Sequence, residues 1–189
     1  QPSLYTTTNG VNPSYTAFTN SNGALNAYKG YFLFVRGGRD VSLSLFNLNQ
    51  AAYGWTNLAS SNTTLRATGT IQQGDKTGTD FNTANPLLPG IDVQNLITNP
   101  FPSPIDWSQI YTASAGTLKD FYTYWNAHNG TRGGFVTVDN TGSVTPLGSA
   151  GSIKIQTGQA FFVTNSTAAI PTLSIKESYK VSGGGAGVY

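Results

Sequence analysis

The sequence predicts an all-β domain, an antiparallel β-sandwich of jelly-roll or Ig-like (immunoglobulin-like) kind with one short helix after a proline-rich corner. Three observations carry this. Short aromatic and β-branched runs alternate with glycine and asparagine turns, helical periodicity is nearly absent, and Pro100, Pro102 and Pro104 stiffen one corner in mid-chain. At 189 residues the chain suits one large all-β unit. The expected divisions are an extended or strand-forming N-terminal arm over 1–26, the sandwich over 27–182, and a Gly-rich linker or tail over 183–189.

Taken in order, the arm is Thr/Asn/Ser/Gly-rich with single aromatics at Tyr5, Tyr15 and Phe18. Tyr28 to Val35 reads as a buried strand, closed by Arg36-Gly37-Gly38-Arg39-Asp40 and followed by the alternating strand Val41 to Phe46, which together make a hairpin. Asn47 to Ser61 is expected to be a loop and Thr63 to Gln72 a strand, because its apolar and polar residues alternate. Gly74 to Gly90 reads as a long, turn-rich and mobile connection before a strand over Ile91 to Thr98.

At the corner itself, Ser103, Pro104 and Asp106 fit an N-cap, a first-turn proline and an acidic third position, so a short helix is expected to begin at Ser103. Trp107, Ile110 and Tyr111 would share one of its faces, and Phe101 would brace the entry. Phe101, Trp107 and Phe162 are the expected core anchors, because a rigid corner is of use only if its aromatics point inward. Phe121 to Trp125 and Phe135 to Val138 form a second hairpin, Asp139 to Gly142 a turn, Ile153 and Ile155 a short strand. Thr157-Gly158-Gln159 turns the chain into a strand from Ala160 to Val163, and Leu173 to Lys176 supplies the last one.

Charged residues make up 10% of the chain, against roughly 25% in an ordinary soluble protein, so the polar surface must rest on Asn, Thr, Ser, Gln and Gly. The net charge of +2 is scattered, which gives a nucleic acid backbone no footprint. Cysteine and methionine are both absent, in keeping with an oxidising, extracellular setting. No apolar run approaches the ~18 residues of a membrane span. With no Met present, Gln1 is expected to arise by processing or truncation, and any export signal to lie outside this segment.

Chemistry-bearing residues are few. Of the Asp residues, Asp40, Asp75, Asp80 and Asp139 fall in turns, and Asp92 with Asp106 is the one carboxylate pair near the presumed core. His128 is the single histidine and sits among turn residues, so neither a catalytic triad nor a metal centre is expected, and no cofactor. Asp139-Asn140-Thr141-Gly142 lacks the spacing and closing Glu of a calcium loop. The sequon matches at Asn62, Asn129 and Asn165 are of a kind that recurs by chance in an Asn/Thr-rich chain. Trp55, Tyr122, Tyr124 and Trp125 are the candidate ligand-binding residues, a stacking platform for sugar rings or peptide side chains; the same aromatics would equally fill a core short of Leu.

Five blocks in order carry a resemblance: Gly30-Tyr31-Phe32-Leu33-Phe34-Val35-Arg36-Gly37, Thr64-Leu65-Arg66-Ala67-Thr68-Gly69-Thr70, Asn99 to Trp107, Gly133-Gly134-Phe135-Val136 and Gly158-Gln159-Ala160-Phe161-Phe162-Val163. Together they resemble a module of large Bacteroidota cell-surface, adhesin-like proteins that precedes the C-terminal sorting domain of the type IX secretion system. The likeness spans about Tyr28 to Ser182; neither that sorting domain nor a Trp-rich strand before the first hairpin is seen in this sequence. The resemblance implies secretion, an extracellular cell-surface location and no catalytic residues.

The expected function is therefore a non-catalytic structural or adhesion module, in one version a subunit of an extracellular filament assembled by strand addition. The alternative is a carbohydrate-binding module using exposed Trp and Tyr. Expected partners are other copies of the chain, neighbouring surface-protein domains or surface glycans, with at least one terminal segment packing on a neighbouring subunit.

Overall fold

The computed structural model describes residues 4–19, 23–34, 68–84, 86–130 and 133–183. Antiparallel sheets dominate it. A five-stranded sheet at the centre is ordered β5-β11-β7-β8-β9, where β5 is Gln94–Thr98, β7 Leu118–Asn126, β8 Gly134–Asp139, β9 Val144–Thr145 and β11 Ala160–Asn165. A smaller sheet, ordered β2-β1-β3, is built from β1 (Leu4–Thr7), β2 (Tyr15–Ala17) and β3 (Tyr31–Leu33). It packs on the central sheet through Phe32, whose ring centroid is 6.3 Å from that of Phe162 and 6.5 Å from that of Phe135. Two short pairs complete the fold: β4 (Lys76–Thr77) with β12 (Ser174–Ile175), and β6 (Ile105–Asp106) with β10 (Lys154–Ile155).

Strand register divides the central sheet into two faces. Val163 and Val138 lie opposite Tyr122, Val136 opposite Tyr124, and Ile97 opposite Phe161, so these residues share the inner face. Thr123, Trp125, Phe135, Phe162 and Leu96 fall on the outer face by the same alternation. Strand β11 is buried along nearly its whole length, which explains its unbroken Phe-Phe-Val run.

The inner face is closed by the proline corner and the helix after it. Trp107 and Ile110 are fully enclosed on α2 (Trp107–Ala113), which follows α1 (Gly78–Ala84) in chain order. The Trp107 ring lies 5.5 Å from that of Tyr122 and 6.4 Å from that of Phe161, and its Nε1 donates to the Asp120 carbonyl at 3.2 Å. The corner is anchored by buried Asn99. Its Nδ2 donates to the carbonyls of Ser103 (2.8 Å) and Gln156 (2.9 Å), and its Oδ1 accepts from the Phe101 N–H. A second carboxamide clip joins buried Asn95 to Asn165, whose Nδ2 reaches the carbonyls of Leu88 and Gly90.

Several expectations are corrected. The helix starts at Trp107 with Asp106 as its N-cap, accepting from Ser108 N at 2.8 Å, and Ser103 caps nothing. Ile105 and Asp106 are taken instead by pairing with β10, which buries Ile105. Phe162 is buried but on the outer face; Phe161 is the residue that meets Trp107. Gly74 to Gly90 contains β4 and α1, because the Asp80 carboxylate in the first turn accepts from Thr77 N (2.7 Å) and Phe81 is buried against Tyr28. Tyr28 adopts a left-handed backbone with φ of 64°, so the following strand is only Tyr31–Leu33, and Leu33 and Phe34 are exposed.

Thr68 to Gln72 forms no strand, having Gly69 in its midst, and is met by the Tyr28 hydroxyl donating to Gln72 Oε1 at 2.7 Å. The Val41 to Phe46 half of the first hairpin, the loop bearing Trp55, the first part of the Thr63 to Gln72 stretch and the tail beyond Gly183 lie outside the described residues. The described arm is sewn into its own chain. β1 pairs on both sides, Gly10 bridges Gln94, and Asn9 accepts from Leu96 N and donates to the Pro86 carbonyl.

Candidate functional site

The aromatic hairpin β7–β8 places its side chains by parity. Tyr122 and Tyr124 point to the inner face, each 1% exposed, with their rings stacked at 5.7 Å. Their hydroxyls donate to the carbonyls of Ser152 and Ala150. Burial pushes both phenols above the ordinary tyrosine range, Tyr122 most strongly. They are structural clamps and form no stacking platform, which corrects the expectation for these two. Trp55 lies outside the described residues.

Trp125 is different. It stands on the outer face, 42% exposed, in edge-to-face contact with Phe135, which is 41% exposed and directly opposite in register. Gly133, with φ of 77°, lies against the Nε1–Cε2–Cζ2 side of the indole; a Cβ there would come within 2.8 Å of the ring. Only glycine meets both requirements, so the chain reversal itself fixes the Trp125 ring.

Between the two sheets the outer face leaves two hollows that share Phe162 as a wall. One, of about 260 Å³, lies among Tyr31, Leu33, Trp125, Gln156, Gln159 and Phe162. The other, of about 500 Å³, lies among Asn12, Tyr15, Gln94, Phe121, Thr123 and Phe135. Burial raises the Tyr15 phenol above its ordinary range. Among the described residues, no charged side chain lines either hollow.

Gln156 and Gln159, which line the smaller cleft, end the turn Gln156-Thr157-Gly158-Gln159, closed by Gln159 N donating to the Gln156 carbonyl. Gln159 Oε1 accepts from Gln156 N at 2.8 Å, which fixes the orientation of that carboxamide. The Nε2 of Gln159 and the Nε2 of Gln156, a residue only 8% exposed, are both enclosed without a hydrogen-bond partner. Sequence reasoning took this segment only as a turn. Register counting from Trp125 to Phe135 could have found the aromatic wall; the two glutamines acquire their setting only when β3 arrives over them.

Six of the described carboxylates have local partners. Asp80 and Asp106 cap helices, and Asp139 accepts from Thr141 and Ser143. Asp75 accepts from Glu177 N, Glu177 accepts from Gly74 N and pairs with Lys180, and Asp92 pairs with Lys119. Asp92 and Asp106 thus have separate partners on separate elements. His128 donates its backbone N–H to Asn126 Oδ1 in the hairpin turn. Among the described residues no three His, Cys, Asp or Glu side chains gather as metal ligands. No described helix is long and apolar enough to cross a membrane. No family model, curated protein or solved structure matches the chain.

Proposed function

We propose that the chain is a non-catalytic structural and adhesion module of a secreted bacterial protein, displayed outside the cell on the cell surface. The observation that carries this reading is the Trp125–Phe135 pair, two large rings left open to solvent on a hairpin whose opposite face is locked into the core. Exposed aromatics on a rigid support are the usual makings of a contact surface. Low charge, the absence of Cys and Met, and the ordered blocks that resemble Bacteroidota surface modules exported by type IX secretion support the same reading.

The narrower filament version needs a donor strand from outside Leu4–Ala17, since those strands already pair within the chain. Beads coated with the full chain should retain bacterial cells or host matrix better than beads coated with an unrelated β-sandwich. Equal retention would overturn the adhesive role. Electron microscopy of the concentrated protein tests the filament version, which fails if only single particles are seen. Carbohydrate binding is a second reading, favoured specifically by the half-exposed Trp125 ring beside a cleft whose described lining is uncharged.

A further inference from the structure

We propose that the Asn129–Gly130 step in the turn between β7 and β8 is a site of spontaneous deamidation, through which the chain acquires an aspartate or isoaspartate in the hairpin that carries Trp125. The proposal goes beyond the adhesion reading and stands whether or not the Trp125 face binds cells.

The chemistry needs no enzyme. The backbone nitrogen of the following residue gives its proton to hydroxide and attacks the asparagine Cγ. The bond from Cγ to the side-chain nitrogen then breaks, ammonia leaves, and a five-membered cyclic imide remains. Water opens the ring at either carbonyl to give aspartate or the β-linked isoaspartate, so one water is consumed for each ammonia released. A following glycine favours the ring, because it has no Cβ to crowd the imide and its backbone turns freely. Two features oppose closure: hydrogen bonds that hold the side-chain amide elsewhere, and a backbone nitrogen fixed in a ladder.

Three Asn-Gly steps occur in the sequence, at Asn9, Asn22 and Asn129, and Asn22 lies outside the described residues. The other two have opposite settings. At Asn9–Gly10 the side-chain Oδ1 accepts from Leu96 N and Nδ2 donates to the Pro86 carbonyl, each at 3.0 Å. Gly10 N donates to the Gln94 carbonyl at 3.0 Å, and Gln94 N returns the bond. At Asn129–Gly130, among the described residues, Asn129 Nδ2 and Gly130 N have no hydrogen-bond partner, and Asn129 Oδ1 meets only the Ser149 hydroxyl at 3.5 Å, the outer limit of a hydrogen bond. Gly130 is exposed, with φ of 71°, and the step lies beyond Asn126 and Gly134, the last pair in the hairpin register. Ring closure there requires no strand to part, whereas Asn9 must first be released by local opening.

The product falls at a sensitive place. The Asn129 amide lies against Gly134, where a Cβ would come within 3.0 Å of Nδ2, and Gly134 precedes Phe135. The new carboxylate thus arises next to the strand that carries the exposed Phe135 ring, and the formal net charge of +2 falls by one.

The test incubates the full folded chain in warm, mildly alkaline buffer and follows each Asn-Gly peptide by mass spectrometry, with isoaspartyl methyltransferase labelling to mark the β-linked product. The Asn129 peptide should accumulate aspartate and isoaspartate, and the Asn9 peptide should do so about tenfold or more slowly, because its rate is scaled down by the opening equilibrium. In the chain unfolded by urea the two rates should converge. The proposal is overturned if Asn129 stays intact in the folded chain over the time in which the unfolded chain is modified there, or if Asn9 keeps pace with Asn129 while the protein is folded.

Discussion

The two faces of the central sheet are made by alternate residues of the same strands, yet they are built to different ends. On the inner face Phe161, Val163, Tyr122, Val136 and Val138 form one buried cluster with Trp107, Ile110 and Ile155, and the hydroxyls of Tyr122 and Tyr124 are each held by a loop carbonyl. On the outer face Phe162 and Leu96 are covered by the small sheet, while Trp125 and Phe135 stay open, hollows remain, and amide nitrogens go unpaired. The hairpin carries aromatics on both sides, Tyr122 and Tyr124 within and Phe121, Trp125 and Phe135 without, so aromatic content says nothing about exposure. What separates the faces is whether each polar handle finds a partner, complete within and incomplete without.

The sharpest way to break this contrast is to empty one aromatic site on each face. Trp107→Ala should cost about 3 to 5 kcal/mol in urea unfolding, the usual range for a large enclosed aromatic. A loss below about 1 kcal/mol would show that the inner face tolerates voids as the outer one does. Gly30→Ala comes next, since a Cβ there would strike the enclosed Leu96 side chain where the chain crosses β5. Overpacking of this kind should cost about 1 to 3 kcal/mol and lower the melting midpoint. No change would mean that the outer packing is loose enough to give way.

Tyr122 sharpens the comparison through pH. Its phenol is raised by burial first and by Tyr124 second, so the neutral form is favoured by folding. The stability this contributes is full below pH ~10, where an unfolded tyrosine begins to ionise, and is lost as pH rises further. Absorbance at alkaline pH should therefore show Tyr122 ionising only as the protein unfolds, and Tyr122→Phe should remove that feature at a cost of about 1 kcal/mol by leaving the Ser152 carbonyl unpaired. Ionisation near pH 10 in the folded protein would place the ring in water. Smallest of all, Trp125→Ala should alter unfolding stability by about 0.5 to 1 kcal/mol, because the ring is only partly covered. A cost matching that of Trp107→Ala would make Trp125 a core residue and remove the contact surface.

The β7–β8 hairpin and β11 were legible in the sequence, since Phe-Tyr-Thr-Tyr-Trp and Phe-Phe-Val allow little but strand and Gly133-Gly134 marks the return. Which aromatics face outward was not legible. Both parities of Phe121 to Trp125 carry rings, so alternation alone leaves the sense open until Trp107 and Ser152 claim Tyr122. Helix α1 was hidden because Gly78 stands inside its first turn and reads as a loop residue; its local signal is Asp80, acidic in the first turn and bonded back to Thr77 N. The helix after the corner was misplaced by three residues, because pairing of Ile105 with Ile155 is a contact across 50 positions that no capping rule contains. Gln156 and Gln159 were visible only as a turn for the same reason: their significance depends on β3, which lies far from them in the chain.

The asparagine clips carry a consequence for where such a fold can work. Asn95, Asn99 and Asn165 tie loops to strands with neutral carboxamides at positions where an ion pair could have served. A dipole buried among carbonyls has no counterion cloud to gain or lose, so these ties hold equally in fresh water, brine or host fluid. Durability against changing salinity is thus built into the interior, and the surface is left free to meet whatever the medium brings.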